Sequence, residues 1–270
     1  ILGFIFVAYS VYKLYIKSPV TFNTYMDFAF VCIPLIYLLS FFTAVNAKDA
    51  FDQFLIYSAY FMIYKISSSL VQQNNEYKTY FLNGIILSAF ILSFTSILDI
   101  MGVIDLQVAF IGKRFYGLYQ YPNTTASVLG VGIILTINSI INEKNIKCIT
   151  MYQIVLTSII ASFIFTLSRG AYLVLAIIML FNFFVIDAVS KLKYILSLFI
   201  SFISGSYLIY KFYTLAEAEL SQIGKIYIYA IVLSGIISLL IYSLKKVIKI
   251  SLSAKVINLA LIVIVIVLFS

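Results

Sequence analysis

Apolar stretches of roughly 18 residues recur along the chain with only short polar breaks between them. As a helix, such a stretch reaches across the ~30 Å hydrocarbon core of a bilayer. The pattern predicts spans at about 1–16, 25–46, 50–71, 80–98, 122–141, 149–167, 171–187, 194–213, 225–244 and 256–270. Strands of the outer-membrane type would show long two-residue alternation, which is absent, so helices are the spanning element. No fixed-period repeat is visible and no soluble domain interrupts the series. The expected fold is therefore all-α: a polytopic transmembrane helix bundle of about ten spans forming one transmembrane domain over 1–270. Ile1 and Ser270 both lie inside apolar runs, so the sequence reads as a piece of a longer chain, truncated at both ends.

Composition sharpens this reading. Hydrophobic residues make up 63% of the chain and charged residues 10%, against about half and about a quarter in soluble domains. The net charge of +8 is unevenly distributed. Of the 18 Lys and Arg, only Lys48, Lys113, Arg114, Arg169, Lys211 and Lys225 fall in connections after even-numbered spans. The other twelve follow odd-numbered spans, which the positive-inside bias makes cytoplasmic. That bias accounts for the charge, so no nucleic-acid partner is expected. Residues 99–121, 168–170 and 214–224 should then face outward, and span 10 should run outward. Cys32 and Cys148 offer neither a disulfide framework nor a metal spacing, and the chain has no histidine. His-based acid–base, nucleophilic or metal chemistry is excluded within this sequence, and no metal or cofactor is expected.

Ionisable groups inside a membrane are costly and each needs a reason. Lys48 and Asp52 are spaced to pair at i, i+4, and Lys65 is placed to snorkel from the inner end of span 3. Ser158, Ser162 and Thr166 recur every four residues on span 6 and read as a packing seam between helices. The connection from Asp99 to Tyr121 holds Lys113 and Arg114, then Tyr116, Tyr119 and Tyr121, which suit an interfacial aromatic belt or stacking on sugar rings. Pro122 suits the first turn of span 5. Arg169 sits in a tight hairpin, Ser168-Arg169-Gly170, between two apolar helices. Its guanidinium is permanently charged and matches phosphate in a bidentate manner.

The stretch Arg114-Phe115-Tyr116-Gly117-Leu118-Tyr119-Gln120-Tyr121-Pro122-Asn123-Thr124-Thr125-Ala126 resembles the R-x-x-G-x-x-x-x-P-N-x-x-A signature of the O-antigen ligase and polymerase family. About 40 residues on, Thr166-Leu167-Ser168-Arg169-Gly170-Ala171 resembles that family's second signature, an S-R-G-A hairpin leading into an apolar helix. The likeness is sharp over about residues 110–185 and rests on hydropathy elsewhere.

The resemblance implies a metal-independent membrane glycosyltransferase of the bacterial cytoplasmic (inner) membrane. Such an enzyme takes an oligosaccharide linked through pyrophosphate to undecaprenol. It polymerises or ligates the glycan at the outer face, alongside membrane lipid and other polysaccharide-assembly proteins. Arg114 and Arg169, with Lys113 and Asn123, are the implied contacts to the pyrophosphate and glycan. Family members carry a late external loop with an arginine and a histidine. This sequence lacks both loop and histidine, so the loop is expected beyond Ser270 and no residue here is assigned as the catalytic base. A polysaccharide transporter or flippase, or a non-catalytic membrane assembly partner, is the competing reading. The Ile-, Lys-, Tyr- and Asn-rich composition hints at an AT-rich, Gram-positive host making capsule, exopolysaccharide or another cell-envelope polymer.

Overall fold

A computed structural model describes residues 2–16, 21–22, 24–106, 109–214 and 221–248. The chain is almost entirely helical: α1 (Leu2–Tyr15), α2 (Tyr25–Ser40), α3 (Ala47–Gln73), α4 (Glu76–Ile100), α5 (Pro122–Asn142), α6 (Ile146–Phe165), α7 (Arg169–Val185), α8 (Ala188–Thr214) and α9 (Ser221–Ile248). Each predicted span from the first to the ninth overlaps one of these helices. The tenth, 256–270, lies outside the described residues, as do parts of the connection predicted at 214–224 and of the stretch between the ninth and tenth spans.

Among the described residues, α3, α4, α5, α6, α8 and α9 are long and apolar enough to cross a membrane. The fold thus has multi-pass membrane character. Helices α1, α2 and α7 are apolar but shorter. The predicted second span ran to residue 46, whereas α2 closes at Ser40, whose hydroxyl turns back onto the Tyr37 carbonyl at 2.8 Å. At 16 residues α2 is only about 24 Å long.

The chain forms two compact units, Ile1–Asn83 and Gly84–Ser270. In the first, α2 and α1 pack on α3, with the rings of Phe30 and Tyr64 stacked at 4.5 Å and those of Tyr37 and Tyr57 at 4.8 Å. The buried residues of its described part are Lys13, Asp27, Pro34, Ala50 and Lys65. Three of these carry charge, which reverses the order of a soluble core. Where the solvent is lipid, apolar side chains need no shelter and polar groups must find partners inside.

Lys65 is the clearest correction to the sequence reading. Its side chain does not snorkel to an interface; it is 3% exposed and lies 3.0 Å from the Asp27 carboxylate, itself 2% exposed. The ammonium also donates to the Thr21 carbonyl at 2.7 Å and sits over the Phe22 ring. The other Asp27 oxygen accepts the Thr24 N–H, while the Thr24 hydroxyl accepts the Asp27 N–H. One carboxylate therefore both starts α2 and binds it to α3. The pair anticipated between Lys48 and Asp52 is not formed among the described residues. The start of α3 is fixed instead by Asn46, whose side chain accepts from the Asp49 N–H.

In the second unit, α6 lies at the centre and packs against α5, α8 and α9. The seam of Ser158 and Ser162 is present and fully buried. Ser93 Oγ on α4 lies 2.7 Å from Ser158 Oγ and 2.8 Å from Ser162 Oγ. The Tyr227 hydroxyl of α9 closes the cluster against Ser158. A second polar layer joins α6 to α8, where Gln153 Nε2 donates to the Ser197 carbonyl at 3.0 Å and to Ser201 Oγ at 2.8 Å. Such bonds between helices, worth about 0.6–2 kcal/mol each in a bilayer, set the register that apolar packing leaves open.

Candidate functional site

The residues of the two signature segments lie at one end of the second unit, where α4, α6 and α8 finish and α5 and α7 begin. Between α4 and α5 the chain forms an unforeseen two-stranded hairpin, β1 (Phe110–Ile111) and β2 (Arg114–Phe115), paired antiparallel. Its short turn contains Gly112 at φ +58°, a left-handed conformation that glycine adopts without strain. The hairpin is anchored by rings: Phe115 is fully buried, Phe110 meets it at 5.0 Å, and Phe110 lies 6.0 Å from Phe212 of α8. Phe212 in turn stacks on Phe165 of α6 at 4.0 Å. Two-residue strands are too short to register as an alternating pattern, so periodicity could not find them.

The signature glycine has a physical reason. Gly117 has φ +65°, and an added Cβ would come within 3.0 Å of the Thr125 side chain and 3.1 Å of the Phe115 ring. Thr125, at an unspecified position of the same stretch, donates its hydroxyl to the Tyr116 carbonyl. A single turn of 3₁₀ helix over Gly117–Tyr119 then leads into α5, with Pro122 at its first position.

The second signature is a tight reversal. Leu167 takes φ +51°, Ser168 stands at the N-cap position of α7 without a side-chain capping bond, and Arg169 occupies the first turn. The Tyr172 hydroxyl donates back to the Ile164 carbonyl and braces the reversal.

Two hydrogen bonds tie the segments together. Arg114 Nε donates to the Thr166 carbonyl at 3.0 Å, and Ser168 Oγ donates to Asn123 Oδ1 at 2.8 Å. Arg114 is half-buried and lies 5.8 Å from the centre of the Tyr116 ring. Because Nε is engaged, the terminal nitrogens of its guanidinium are the part left to face a ligand. Asn123 is exposed, and its amide nitrogen is 3.3 Å from the Tyr121 hydroxyl. Arg169 is exposed and makes no hydrogen bond or ion pair among the described residues. Lys113 takes a different direction: its ammonium donates to the Tyr213 carbonyl at 2.7 Å, at the end of α8. Tyr119 and Tyr121 are exposed, as an interfacial belt or a stacking surface requires.

A groove of about 480 Å³ opens beside this platform. Ala126, Gly130 and Ile134 of α5 line one side and Ala171, Val174 and Ile178 of α7 the other, with Phe163 of α6 between. Its polar end is formed by Asn123, Ser127, Ser168 and Gly170, so its lining flanks Arg169 on both sides in sequence. Neither arginine lines the groove itself. Sequence reading placed Asn123 and Ser168 in separate motifs and gave no sign of their contact, which depends on the rotational setting of α5 against α6 and α7.

An all-α multi-pass membrane chain with a built polar platform at one helix end is the class these features define. Comparison with family models, with curated proteins and with solved structures gives no match.

Proposed function

We propose that this chain belongs to a membrane glycosyltransferase acting on polyprenyl-pyrophosphate-linked glycans at the outer face of a bacterial cytoplasmic membrane. The observation that carries the reading is the physical junction of the two signatures through Arg114–Thr166 and Ser168–Asn123. Segments separated by some 40 residues form one platform, with the Arg169 guanidinium at its edge without a partner among the described residues. In the proposed reaction an acceptor hydroxyl attacks the anomeric carbon of the carrier-linked sugar. The carbon–oxygen bond to pyrophosphate breaks, and the polyprenyl pyrophosphate leaves with the electron pair. Negative charge grows on that leaving group. A cation near 4 Å at an effective dielectric of about 20 contributes roughly 4 kcal/mol of attraction before desolvation. Arg169 is suited to bind the pyrophosphate, Arg114 to support it from a fixed position, and Asn123 to orient a sugar hydroxyl. Lys113, held on α8, is suited to position the hairpin rather than to meet substrate.

The test is formation of new glycosidic linkages by the full-length protein in proteoliposomes loaded with its carrier-linked glycan. Arg169→Ala should lower the rate about a hundredfold. Arg169→Lys should recover little of it, since a point charge does not reproduce the fork. Unchanged activity in Arg169→Ala at matched expression would remove the role.

Transport is a second reading, and the buried Lys13, Asp27 and Lys65 favour it, because charges inside membrane helices often mark translocation routes. The same proteoliposomes separate the two: a transporter moves the glycan across the bilayer without making a linkage.

A further inference from the structure

We infer that the junction of α6, α8 and α9 binds a short file of ordered water molecules between Gln153, Ser204 and Ser238, inside the second unit and apart from the arginine platform. Gln153 on α6 is fully buried. Its amide nitrogen donates to the Ser197 carbonyl and to Ser201 Oγ on α8, at 3.0 and 2.8 Å. A backbone carbonyl can only accept, which fixes the side-chain amide in this orientation. Gln153 Oε1 is then left buried with no hydrogen-bond partner among the described residues, and so are Ser204 Oγ on α8 and Ser238 Oγ on α9. Helices α8 and α9 are consecutive and pack together as an antiparallel pair. Ser197 Oγ on the first lies 3.4 Å from the Tyr242 hydroxyl on the second. Ser238 is one turn back from Tyr242 and Ser201 one turn on from Ser197, so these two serines stand level. Ser204 follows on the same face of α8, less than a turn further. The three unpartnered atoms therefore come from three helices at neighbouring levels.

Space and chemistry both fit water. Gly205, next to Ser204, is buried, yet among the described residues a Cβ there would meet nothing within 4 Å beyond its own stretch of helix. The glutamine carbonyl needs a donor, and each serine hydroxyl can give a bond or take one. A ligand that serves all three must be small and must do both. Helices α6, α8 and α9 carry no Asp or Glu. A cation here would sit in an apolar surround without a counter-charge, which is costly. Water is neutral, gives and accepts hydrogen bonds, and settles in the interior where a few polar groups meet around sufficient space.

The experiment is X-ray hydroxyl-radical footprinting of the full-length protein in lipid nanodiscs, read by mass spectrometry. Ordered interior water is split where it sits, and its radical oxidises the side chains within reach before it can diffuse away. Leu208, one turn beyond Ser204, is the reporter, and Leu129 of α5 is the reference; both are fully buried. Leu208 should oxidise about tenfold faster than Leu129, since only the first has held water beside it. Combining Ser204→Ala with Ser238→Ala leaves Gln153 Oε1 as the one remaining anchor and should bring Leu208 down to the Leu129 rate. Alanine suits a helix interior, so the double variant keeps its fold. Equal rates for the two leucines in the wild type would mean a dry junction and overturn the site. A Leu208 rate unchanged in the double variant would place the water elsewhere and overturn it as well. Thermal stability that rises with sodium or potassium chloride in the wild type but not in the double variant, with choline chloride as the ionic-strength control, would overturn water as the occupant in favour of a cation.

Discussion

At the scale of single residues, the strongest constraint is the carboxylate of Asp27. It accepts from the start of its own helix and lies 3.0 Å from Lys65. Removing one member of a buried pair leaves the other charged and desolvated, which costs about 3–5 kcal/mol. Asp27→Ala and Lys65→Ala should each destabilise the protein by that order, read as the loss of thermal or denaturant stability in detergent micelles. Exchanging the two as Asp27→Lys with Lys65→Asp should recover part of the loss, because it restores the ion pair but not the hydrogen bonds that start α2. A swap no more stable than the worse single variant would remove the pairing from the account. The sequence pointed elsewhere, to Lys48 and Asp52, because local spacing is all that a helix rule can use. Asp27 and Lys65 stand 38 positions apart in sequence, and no periodic rule connects them. Arg169 was legible for the opposite reason: a lone charge in a three-residue break between apolar helices stands out without any knowledge of its neighbours.

At the scale of elements, the close approach of α4 to α5 is made possible by one glycine. A Cβ on Gly132 would stand 2.5 Å from the Ala89 Cβ, whereas one on Gly130, half a turn away, meets nothing nearer than 3.8 Å. Both positions would gain the same helix propensity on replacement by alanine. The difference between Gly130→Ala and Gly132→Ala therefore isolates the contact. Gly132→Ala should be less stable than Gly130→Ala by about 1–3 kcal/mol, measured by thermal unfolding, and Ala89→Gly should restore it. Equal stability of the two variants would mean that α4 and α5 can part without cost. Helix positions were readable from hydropathy because length and apolarity are local properties. The seam of Ser158 and Ser162 was readable as well, since a four-residue spacing marks one face. Its partners Ser93 and Tyr227 were not, because either could equally have faced lipid. The hairpin at 110–115 escaped notice since its order comes from burial of Phe115 and not from strand propensity.

At the scale of the whole molecule, two units with opposite internal chemistry share one chain. The second has an interior of Leu, Ile and Phe threaded with hydroxyls, among them the bonded set of Ser93, Ser158 and Ser162. The first has three ionisable side chains where a core would be, and few other buried residues. This difference bears on how the protein is made. Helix α2 brings Asp27 out of the ribosome before α3 supplies Lys65. Released singly to lipid, α2 would expose a carboxylate without its cation, which hydrocarbon penalises. The two helices should therefore be held at the lateral gate of the translocon and handed over as a pair. Ribosome-arrested chains ending near residue 80 should crosslink to the translocon through position 36, and chains ending past residue 110 should crosslink to lipid. Early release of α2 in the shorter chains would show that it does not wait for its partner. Asp27→Asn should prolong the translocon contact of the longer chains, making biogenesis the first casualty of a change far from the arginine platform.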